Sequence, residues 1–252
     1  MISAIVFDLD GTLVQSEKLK ALSYAMAAQR LLRLSEPDPR AIEAYREIVG
    51  AARDVASRHV MDRLGLETEV RPLMAGYGAS EPWEVLTAMR TEIYDEMVAD
   101  PQVLKSNVWP HTISLLRVAG ETGCQTALAT MSQRDETLHV LRALDLEQSL
   151  DLILTREDVR DPKPDPEIYL LAAQRLGVRP EDCLVLEDSL TGVRAGVAAG
   201  ANVIAVATPF TIAGLQSSEA SQVMEHVRIV HETEKLAEVV EQRIAEHNRT
   251  AH

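Results

Sequence analysis

Short apolar runs alternate with amphipathic stretches through the second half of the chain. Each run is bounded by polar or turn-forming residues, which is typical of strands buried on both faces of a sheet. Between the runs, apolar residues recur at spacings of three and four, which predicts helices. The predicted strands are residues 125–129, 152–154, 183–186, 202–207 and 228–230, and the predicted helices are residues 112–121, 135–144, 166–176, 192–199 and 234–246. Strands alternating with helices of this length predict an α/β fold, a doubly wound parallel sheet.

An apolar run at residues 2–6 adds a first strand to this sheet, although a helical segment separates it from the others. Between residues 17 and 97 no convincing strand interrupts the helical pattern. The helical stretches are residues 18–34, 39–66 and 81–98, with breaks at 35–39, 74–78 and 99–101. We therefore expect an α/β core of residues 1–16 and 107–252 and a smaller all-helical domain of residues 17–106.

The composition narrows the classes of partner. The chain has 252 residues, with 25 Lys and Arg against 39 Asp and Glu, and a formal net charge of -14. This excess of acid argues against nucleic acid or a membrane surface as a partner. The two cysteines, Cys124 and Cys183, have neither metal nor redox spacing, which suits a reducing compartment. No apolar run approaches a membrane span and Met1 leads directly into the first strand, so we expect a cytoplasmic protein without a signal peptide.

Two carboxylates, Asp8 and Asp10, follow the first predicted strand. In an extended chain, residues i and i+2 point the same way, and Gly11 then permits a sharp turn. Two close like charges are costly unless a cation lies between them, and Mg²⁺ is a hard cation that binds one or two carboxylates while keeping several waters. Asp8 is therefore a candidate nucleophile toward phosphorus, and Asp10 a candidate general acid and base, at a Mg²⁺ site. A pair of solvated acids in a turn also fits.

Hydroxyl and lysine side chains follow later elements of the predicted sheet. Thr130 ends the strand at residues 125–129, and its hydroxyl, with that of Ser132, can hold a phosphate oxygen. Lys163 lies in a loop stiffened by prolines, where an ammonium can neutralise a phosphoryl group together with Asp8. Taken singly, the hydroxyls also fit a cap or a turn, and the lysine also fits a solvated loop.

A second acidic pair, Glu187 and Asp188, follows the predicted strand at residues 183–186. Acids at the carboxyl end of a buried strand suit a metal site, because open α/β sheets bind their ligands at that edge. Asp188 and Ser189 equally suit the N-cap of the helix that follows.

Four ordered motifs, taken together, resemble the haloacid dehalogenase-like hydrolase superfamily. They are Asp-Leu-Asp-Gly-Thr at residues 8–12, Thr130 after a strand, Lys163 before a proline, and Glu-Asp-Ser at residues 187–189. The resemblance covers residues 1–16 and 107–252, and it implies a Rossmann-like core that forms an aspartyl-phosphate on Asp8. It also implies phosphate binding by Thr130 and Lys163. The implied Mg²⁺ ligands are Asp8, the Asp10 backbone carbonyl and Asp188, with Glu187 binding directly or through water.

The helical segment looks like the cap domain that this superfamily inserts after its first motif, as in β-phosphoglucomutases and many small-molecule phosphatases. Gly-Ala-Ala-Arg at residues 50–53 is similar to the Gly-x-x-Arg stretch with which the mutase cap contacts substrate phosphate. Arg53 is therefore a candidate substrate contact, although an exposed helix arginine fits equally. Lys20 stands where mutase-like members often have His, which weakens the mutase interpretation. Lys20, Thr12 and Ser132 complete the candidate substrate-binding residues.

The resemblance implies a Mg²⁺-dependent phosphatase of a small phosphorylated metabolite of the sugar or polyol phosphate class, acting as a monomer or homodimer. A β-phosphoglucomutase-like mutase is the alternative, and Thr12 and Lys20 favour the phosphatase over it. Asp10 argues against a haloacid dehalogenase, and a phosphonate-cleaving relative would need a Schiff-base lysine, for which Lys20 is the candidate. A non-catalytic binding protein stays open, because fold does not fix function.

Overall fold

The computed structural model describes residues 1–121, 123–225 and 227–250. The described chain divides into two compact units. The first consists of Met1–Gln15 with the chain from Leu104 onward, and the second is Ser16–Val103. The expected domain boundaries, after residue 16 and before residue 107, lie close to these. Within the described ranges, no helix is both long enough and apolar enough to cross a bilayer.

The first unit is built on a sheet of six parallel strands, which confirms the predicted α/β fold with a doubly wound parallel sheet. The strands are β1 (Ala4–Phe7), β2 (Gln125–Ala129), β3 (Leu152–Leu154), β4 (Cys183–Glu187), β5 (Asn202–Val206) and β6 (Arg228–Val230). Their order across the sheet is β3-β2-β1-β4-β5-β6.

The α-helices of the described chain, in order, begin with those of the helical unit. They are α1 (Ser16–Leu32), α2 (Pro39–Arg46), α3 (Arg53–Leu64), α4 (Glu67–Val70), α5 (Met74–Tyr77), α6 (Pro82–Val98), α7 (Pro101–Lys105), α8 (Pro110–Glu121), α9 (Arg134–Ala143), α10 (Glu167–Leu176), α11 (Leu190–Ala198), α12 (Ile212–Leu215), α13 (Ser221–Met224) and α14 (Leu236–Thr250). The last helix thus extends past the predicted end at residue 246.

The strand order determines where a ligand can bind. β1 lies between β2 and β4, and Phe7 is in register with Leu128 and Leu186. From β1 the chain builds outward through β2 and β3, and then it crosses to β4 on the other side. Such a reversal opens a crevice beyond the carboxyl ends of the strands. The residues that directly follow β1, β2 and β4 therefore converge at one edge of the sheet.

One face of the sheet is covered by α10 and α11. Alternate strand residues point toward these helices, because successive side chains of a strand face opposite sides. The buried cluster on this face contains Ala4, Val6, Ala127, Ala129, Cys183, Val185, Val203 and Ala205 from the strands and Ile168, Tyr169, Ala172, Ala173, Val193 and Ala195 from the helices. This packing fixes the start of α10 close to the carboxyl edge of the sheet.

Two segments carry the chain out of the first unit and back into it. The Gln15 N–H donates to Asn107 O (2.7 Å), and the Trp109 N–H donates to Leu13 O (2.9 Å). We call this hydrogen-bonded pair of segments, residues 13–15 and 107–109, the neck. The helical unit is therefore an insertion, and the segments that lead into it and out of it are hydrogen-bonded to each other.

The helical unit differs from the predicted pattern at two positions. The helix predicted over residues 39–66 is two helices, α2 and α3, because the intervening turn contains Gly50 with φ of 86°, which a right-handed helix does not permit. The break predicted at residues 74–78 contains the one-turn helix α5, which ends at Gly78 with φ of 63°. Gly78 is thus the left-handed cap of α5, whereas α2 ends at Arg46 and Gly50 lies in the turn between α2 and α3.

Candidate active site

Asp8 directly follows β1 and pairs with β4. Its backbone N–H donates to Leu186 O (3.0 Å), which extends the ladder by one residue. The chain then turns at Gly11, whose φ of 87° is in the left-handed region. A Cβ built on Gly11 would lie 1.9 Å from Asp188 Oδ2. Glycine is thus required here by both conformation and space, and its absence of side chain lets the Asp188 carboxylate lie against the turn.

Lys163 joins the ends of three strands. Its Nζ donates to Asp8 Oδ1 (2.7 Å), to Glu187 Oε1 (2.6 Å) and to the backbone carbonyl of Ala129 (2.9 Å). These acceptors match the three N–H donors of the ammonium. The Lys163 side chain is 5% exposed, so its attraction to the two carboxylates is weakly screened. The lysine from the loop before α10 is therefore held directly beside Asp8.

Glu187, the last residue of β4, has both carboxylate oxygens engaged. Oε1 accepts hydrogen bonds from Lys163 and from the Tyr169 hydroxyl (2.8 Å). Oε2 accepts hydrogen bonds from the backbone N–H groups of Asp188 (3.0 Å) and Ser189 (3.2 Å) and from the Ser189 hydroxyl (3.1 Å). Five donors thus surround a carboxylate that is almost fully buried, and they compensate the loss of its hydration.

Burial and neighbouring charges shift the pKa values of Asp8 and Lys163. Burial raises the pKa of Asp8 well above its usual range, the Lys163 charge opposes this, and the Glu187 and Asp10 charges add to it. For Lys163, burial acts to lower the pKa, but the charges of Asp8 and Glu187 prevail and hold it well above its usual range. Lys163 is therefore cationic at neutral pH, and its charge favours the ionised form of Asp8.

Asp10 lies beside two hydroxyls from the end of β2. The Ser132 hydroxyl donates to Asp10 Oδ2, and Thr130 Oγ1 lies 3.5 Å from the same oxygen. Thr130 Oγ1 also accepts from the Ser132 N–H (3.0 Å). The Thr12 hydroxyl is buried and has no hydrogen-bond partner in the described part of the chain. The loops after β1 and β2 therefore bring one carboxylate and two hydroxyls together, those of Asp10, Thr130 and Ser132.

Three of the four predicted metal-ligating residues form a buried acidic cluster. Asp8, Glu187 and Asp188 each offer a carboxylate oxygen, and these atoms lie within 4.8 Å of one another. Several hard oxygen donors at this separation fit a divalent cation such as Mg²⁺. Asp10 is outside this carboxylate cluster, and its predicted contribution is its backbone carbonyl. The donor set therefore suits the ion, with Glu187 the member most engaged by other groups.

The other two predicted contacts, Lys20 and Arg53, belong to the helical unit. Lys20 Nζ pairs with Glu17 Oε1 (2.9 Å), and Glu17 Oε2 accepts from the Tyr45 hydroxyl (2.5 Å). Burial, followed by the Glu17 charge, raises the pKa of Tyr45 well above its usual range, so this tyrosine stays a donor. Arg53 is the exposed first residue of α3. Substrate contacts by Lys20 and Arg53 stay predictions.

Two residues of the site, Tyr169 and Gly192, were not predicted from the sequence. Tyr169 is buried on α10, with its ring centroid 4.9 Å from Lys163 Nζ. Gly192 lies in the first turn of α11, where a Cβ would come within 1.8 Å of Glu187 Oε1. A tyrosine on the apolar side of a helix indicates a core residue, and a glycine within a helix indicates close packing, so neither residue type suggests a functional site. Their position alone could have suggested one, because each lies at the start of a helix near the carboxyl edge of the sheet.

A doubly wound parallel sheet with a buried aspartate, a lysine and a second acidic pair at its carboxyl edge defines an α/β protein with a buried acidic cluster. The chain belongs to the haloacid dehalogenase-like hydrolase family, whose model matches residues 2–200. The match includes all four motifs. It confirms the resemblance found in the sequence, and the protein is an enzyme of this hydrolase family.

Similar proteins cover most of the chain. The Phosphorylated carbohydrates phosphatase of Thermotoga maritima is 33% identical over 198 residues, which are 78% of this chain and 81% of that protein. Hexitol phosphatase A of Escherichia coli is 30% identical over 207 residues, with 81% and 82% of the two chains covered. A crystal structure provisionally named a beta-phosphoglucomutase, from Thermotoga maritima, matches with a TM-score of 0.69 and 26% identity over 95% of this chain and 99% of that one.

Proposed function

We propose that the protein is a Mg²⁺-dependent phosphatase of a small phosphorylated metabolite, of the sugar or polyol phosphate class. The observation that carries the proposal is the buried Lys163 ammonium, 2.7 Å from Asp8 and 2.6 Å from Glu187. A fixed cation beside a carboxylate offsets the repulsion between that carboxylate and an incoming phosphoryl group. The names of two relatives, a phosphatase of phosphorylated carbohydrates and a hexitol phosphatase, support the substrate class.

The reaction runs in two displacements at phosphorus. In the first, an Asp8 carboxylate oxygen bonds to phosphorus, the bond to the substrate oxygen breaks, and Asp10 gives its proton to that leaving oxygen. In the second, Asp10 takes a proton from water, the water oxygen attacks the aspartyl-phosphate, and inorganic phosphate leaves Asp8. The Ser132 hydrogen bond orients Asp10 between these steps. Thr130, Thr12, Ser132 and Lys163 bind the phosphoryl oxygens.

The Mg²⁺ ligands in this proposal are Asp8, Asp188 and the Asp10 backbone carbonyl, with Glu187 as a direct or water-mediated ligand. When bound, the ion offsets the charge shared by the Asp8 carboxylate and the phosphoryl group. The acidic cluster of Asp8, Glu187 and Asp188 supports this assignment, because its oxygens are close enough to share one cation.

The helical domain, residues 17–106, acts as a cap in this proposal. It excludes water during attack by Asp8 and releases product afterwards. Lys20 and Arg53 are its candidate contacts to the substrate, and they would favour an anionic or hydroxyl-rich one. The enzyme acts as a cytoplasmic monomer or homodimer.

A β-phosphoglucomutase-like mutase is the second candidate, favoured by the likeness to the Thermotoga maritima structure of that provisional name. It uses the same aspartyl-phosphate but returns the phosphoryl group to the sugar. The products separate the two activities, because a mutase isomerises a sugar phosphate without net release of phosphate.

The test is phosphate release from a panel of sugar and polyol phosphates, with Mg²⁺ and with EDTA. We expect release that requires Mg²⁺ and falls to background in Asp8→Asn, since an amide cannot act as the nucleophile. Asp145→Asn is the matched control, because Asp145 is 82% exposed and its substitution is expected to leave the rate unchanged. Full activity in Asp8→Asn would refute the mechanism, and isomerised product would select the mutase.

A further inference from the structure

Tyr169 contacts both charged partners that lie behind Asp8. Its hydroxyl donates to Glu187 Oε1 (2.8 Å), the same oxygen that accepts from Lys163 (2.6 Å). Its ring centroid lies 4.9 Å from Lys163 Nζ, within the range of a cation–π contact. The residue is 2% exposed, so these contacts are shielded from water.

The hydroxyl of Tyr169 is not required by packing. The face of α10 that contains Tyr169 covers an apolar cluster of alanine, valine, leucine and isoleucine residues, in which a phenylalanine would pack as well. A buried hydroxyl is unfavourable unless it is hydrogen-bonded, and the partner of this one is Glu187. An ionised carboxylate oxygen can only accept hydrogen bonds, so the Tyr169 hydroxyl is the donor to Glu187 Oε1.

The need for such a donor follows from what happens to Asp8. Lys163 is held by Asp8, Glu187 and the Ala129 carbonyl. Once Asp8 is phosphorylated, its carboxylate charge is replaced by the charge of the phosphoryl group, which attracts Lys163 toward the phosphoryl oxygens. Glu187 is then the charged protein side chain that holds the flexible lysine at its place beside Asp8. Its Oε1 must therefore stay aimed at Nζ, and the Tyr169 hydroxyl bonds that same oxygen.

We infer that Tyr169 is a positioning residue, which holds Glu187 Oε1 so that Lys163 stays beside Asp8 through both displacements at phosphorus. The inference rests on the proposed function. It also implies that the main role of Glu187 is to hold Lys163, while the backbone of Asp188 and the backbone and hydroxyl of Ser189 fix its Oε2.

The test is Tyr169→Phe, assayed with the best substrate of the panel or with an aryl phosphate. We expect kcat to fall about tenfold, the effect of misplacing a charge-assisted contact, while KM changes by less than about twofold. Calorimetric titration of the metal-free protein with Mg²⁺ should give a dissociation constant within about twofold of wild type. Thr126→Val is the matched control, since it removes a buried hydroxyl bonded to Ser149 O (2.9 Å) at the opposite end of the sheet, and kcat should be unchanged.

Glu187→Gln supplies the second variant. If Tyr169 acts through Glu187, the Tyr169→Phe substitution should lower kcat by less than about twofold when Glu187 is already glutamine. Independent, multiplicative losses would overturn the inference, as would an unchanged kcat in Tyr169→Phe. A Tyr169→Phe protein that does not fold assigns the hydroxyl to the fold and overturns it too. A wild-type protein without phosphatase activity instead overturns the proposed function, which separates the two failures.

Discussion

Removing the Lys163 charge should destabilise the first unit by about 3–5 kcal/mol at pH 8, the range measured when one partner of a buried ion pair is lost. The structure supports this range independently. Lys163→Met removes two charge-assisted hydrogen bonds, to Asp8 and Glu187, at about 1.5–3 kcal/mol each. The two acid side chains are 9% and 1% exposed, so solvent does not replace the lost cation. Against a typical stability of about 5–15 kcal/mol, the variant should fold but with a much reduced margin.

The deficit should depend on pH in a defined direction. Burial, augmented by Glu187 and Asp10, already raises the folded-state pKa of Asp8 above its ordinary value of 3.8, and without Lys163 the pKa rises further. The folded state then binds a proton more tightly than the unfolded state. Stability is therefore retained below the unfolded pKa and lost as pH rises toward the folded pKa. The deficit of Lys163→Met should shrink by up to about 1.4 kcal/mol per pH unit between pH 8 and pH 5.

The assay is urea unfolding in EDTA at pH 5 and pH 8, followed by tryptophan fluorescence. Trp83 lies in the helical unit and Trp109 in the first unit, so a Trp83→Phe background reports on the unit that contains Lys163. Lys105→Met is the matched control, because Lys105 is 46% exposed and its contact with Asp145 is 3.8 Å long. Its effect should be within about 0.5 kcal/mol. A Lys163→Met deficit below about 1 kcal/mol at pH 8, or one equal at both pH values, would refute the reasoning.

Three further predictions concern single groups. Asp10→Asn should slow hydrolysis of alkyl phosphates by about 10²–10⁴-fold but that of aryl phosphates far less, because a phenolate leaves without a proton; equal losses in steady-state assays would contradict this role. Gly192→Ala should lower the melting temperature and kcat together, because a Cβ there would lie 1.8 Å from Glu187 Oε1, and a wild-type melting curve would argue against that clash. Burial, with a smaller effect from nearby acids, raises the pKa of Cys183 to about 11. Iodoacetamide at pH 8 should therefore label Cys124, which is less buried, ahead of Cys183, as measured by mass spectrometry, and the order should vanish in urea.

The sheet could be predicted because its four inner strands are buried on both faces and therefore form apolar runs. Residues 125–129, 152–154 and 228–230 are strands with the predicted bounds, since their apolar runs are short and end at polar or turn-forming residues. The helical unit was harder. Apolar spacing continues through residues 47–52, so periodicity did not reveal that Gly50 separates two helices.

In the candidate site, too, some contacts could be predicted from the sequence and others could not. Side chains at strand ends, such as Asp8 and Glu187, could be expected to meet, because parallel strands end at a common edge. The Tyr169 hydroxyl could not, since its partner depends on how α10 packs against the sheet, which residue spacing does not specify. The five donors around Glu187 likewise come from three separate elements, and their convergence is a property of the folded chain.

The neck has a consequence for how this chain can be re-engineered. Because Gln15 is bonded to Asn107 and Trp109 to Leu13, the two cut ends left by removing the intervening segment would already be adjacent. A two-residue hairpin could close that gap without altering any strand pairing. The same adjacency makes this a natural point for grafting an unrelated helical module while leaving the residues at the sheet edge in place.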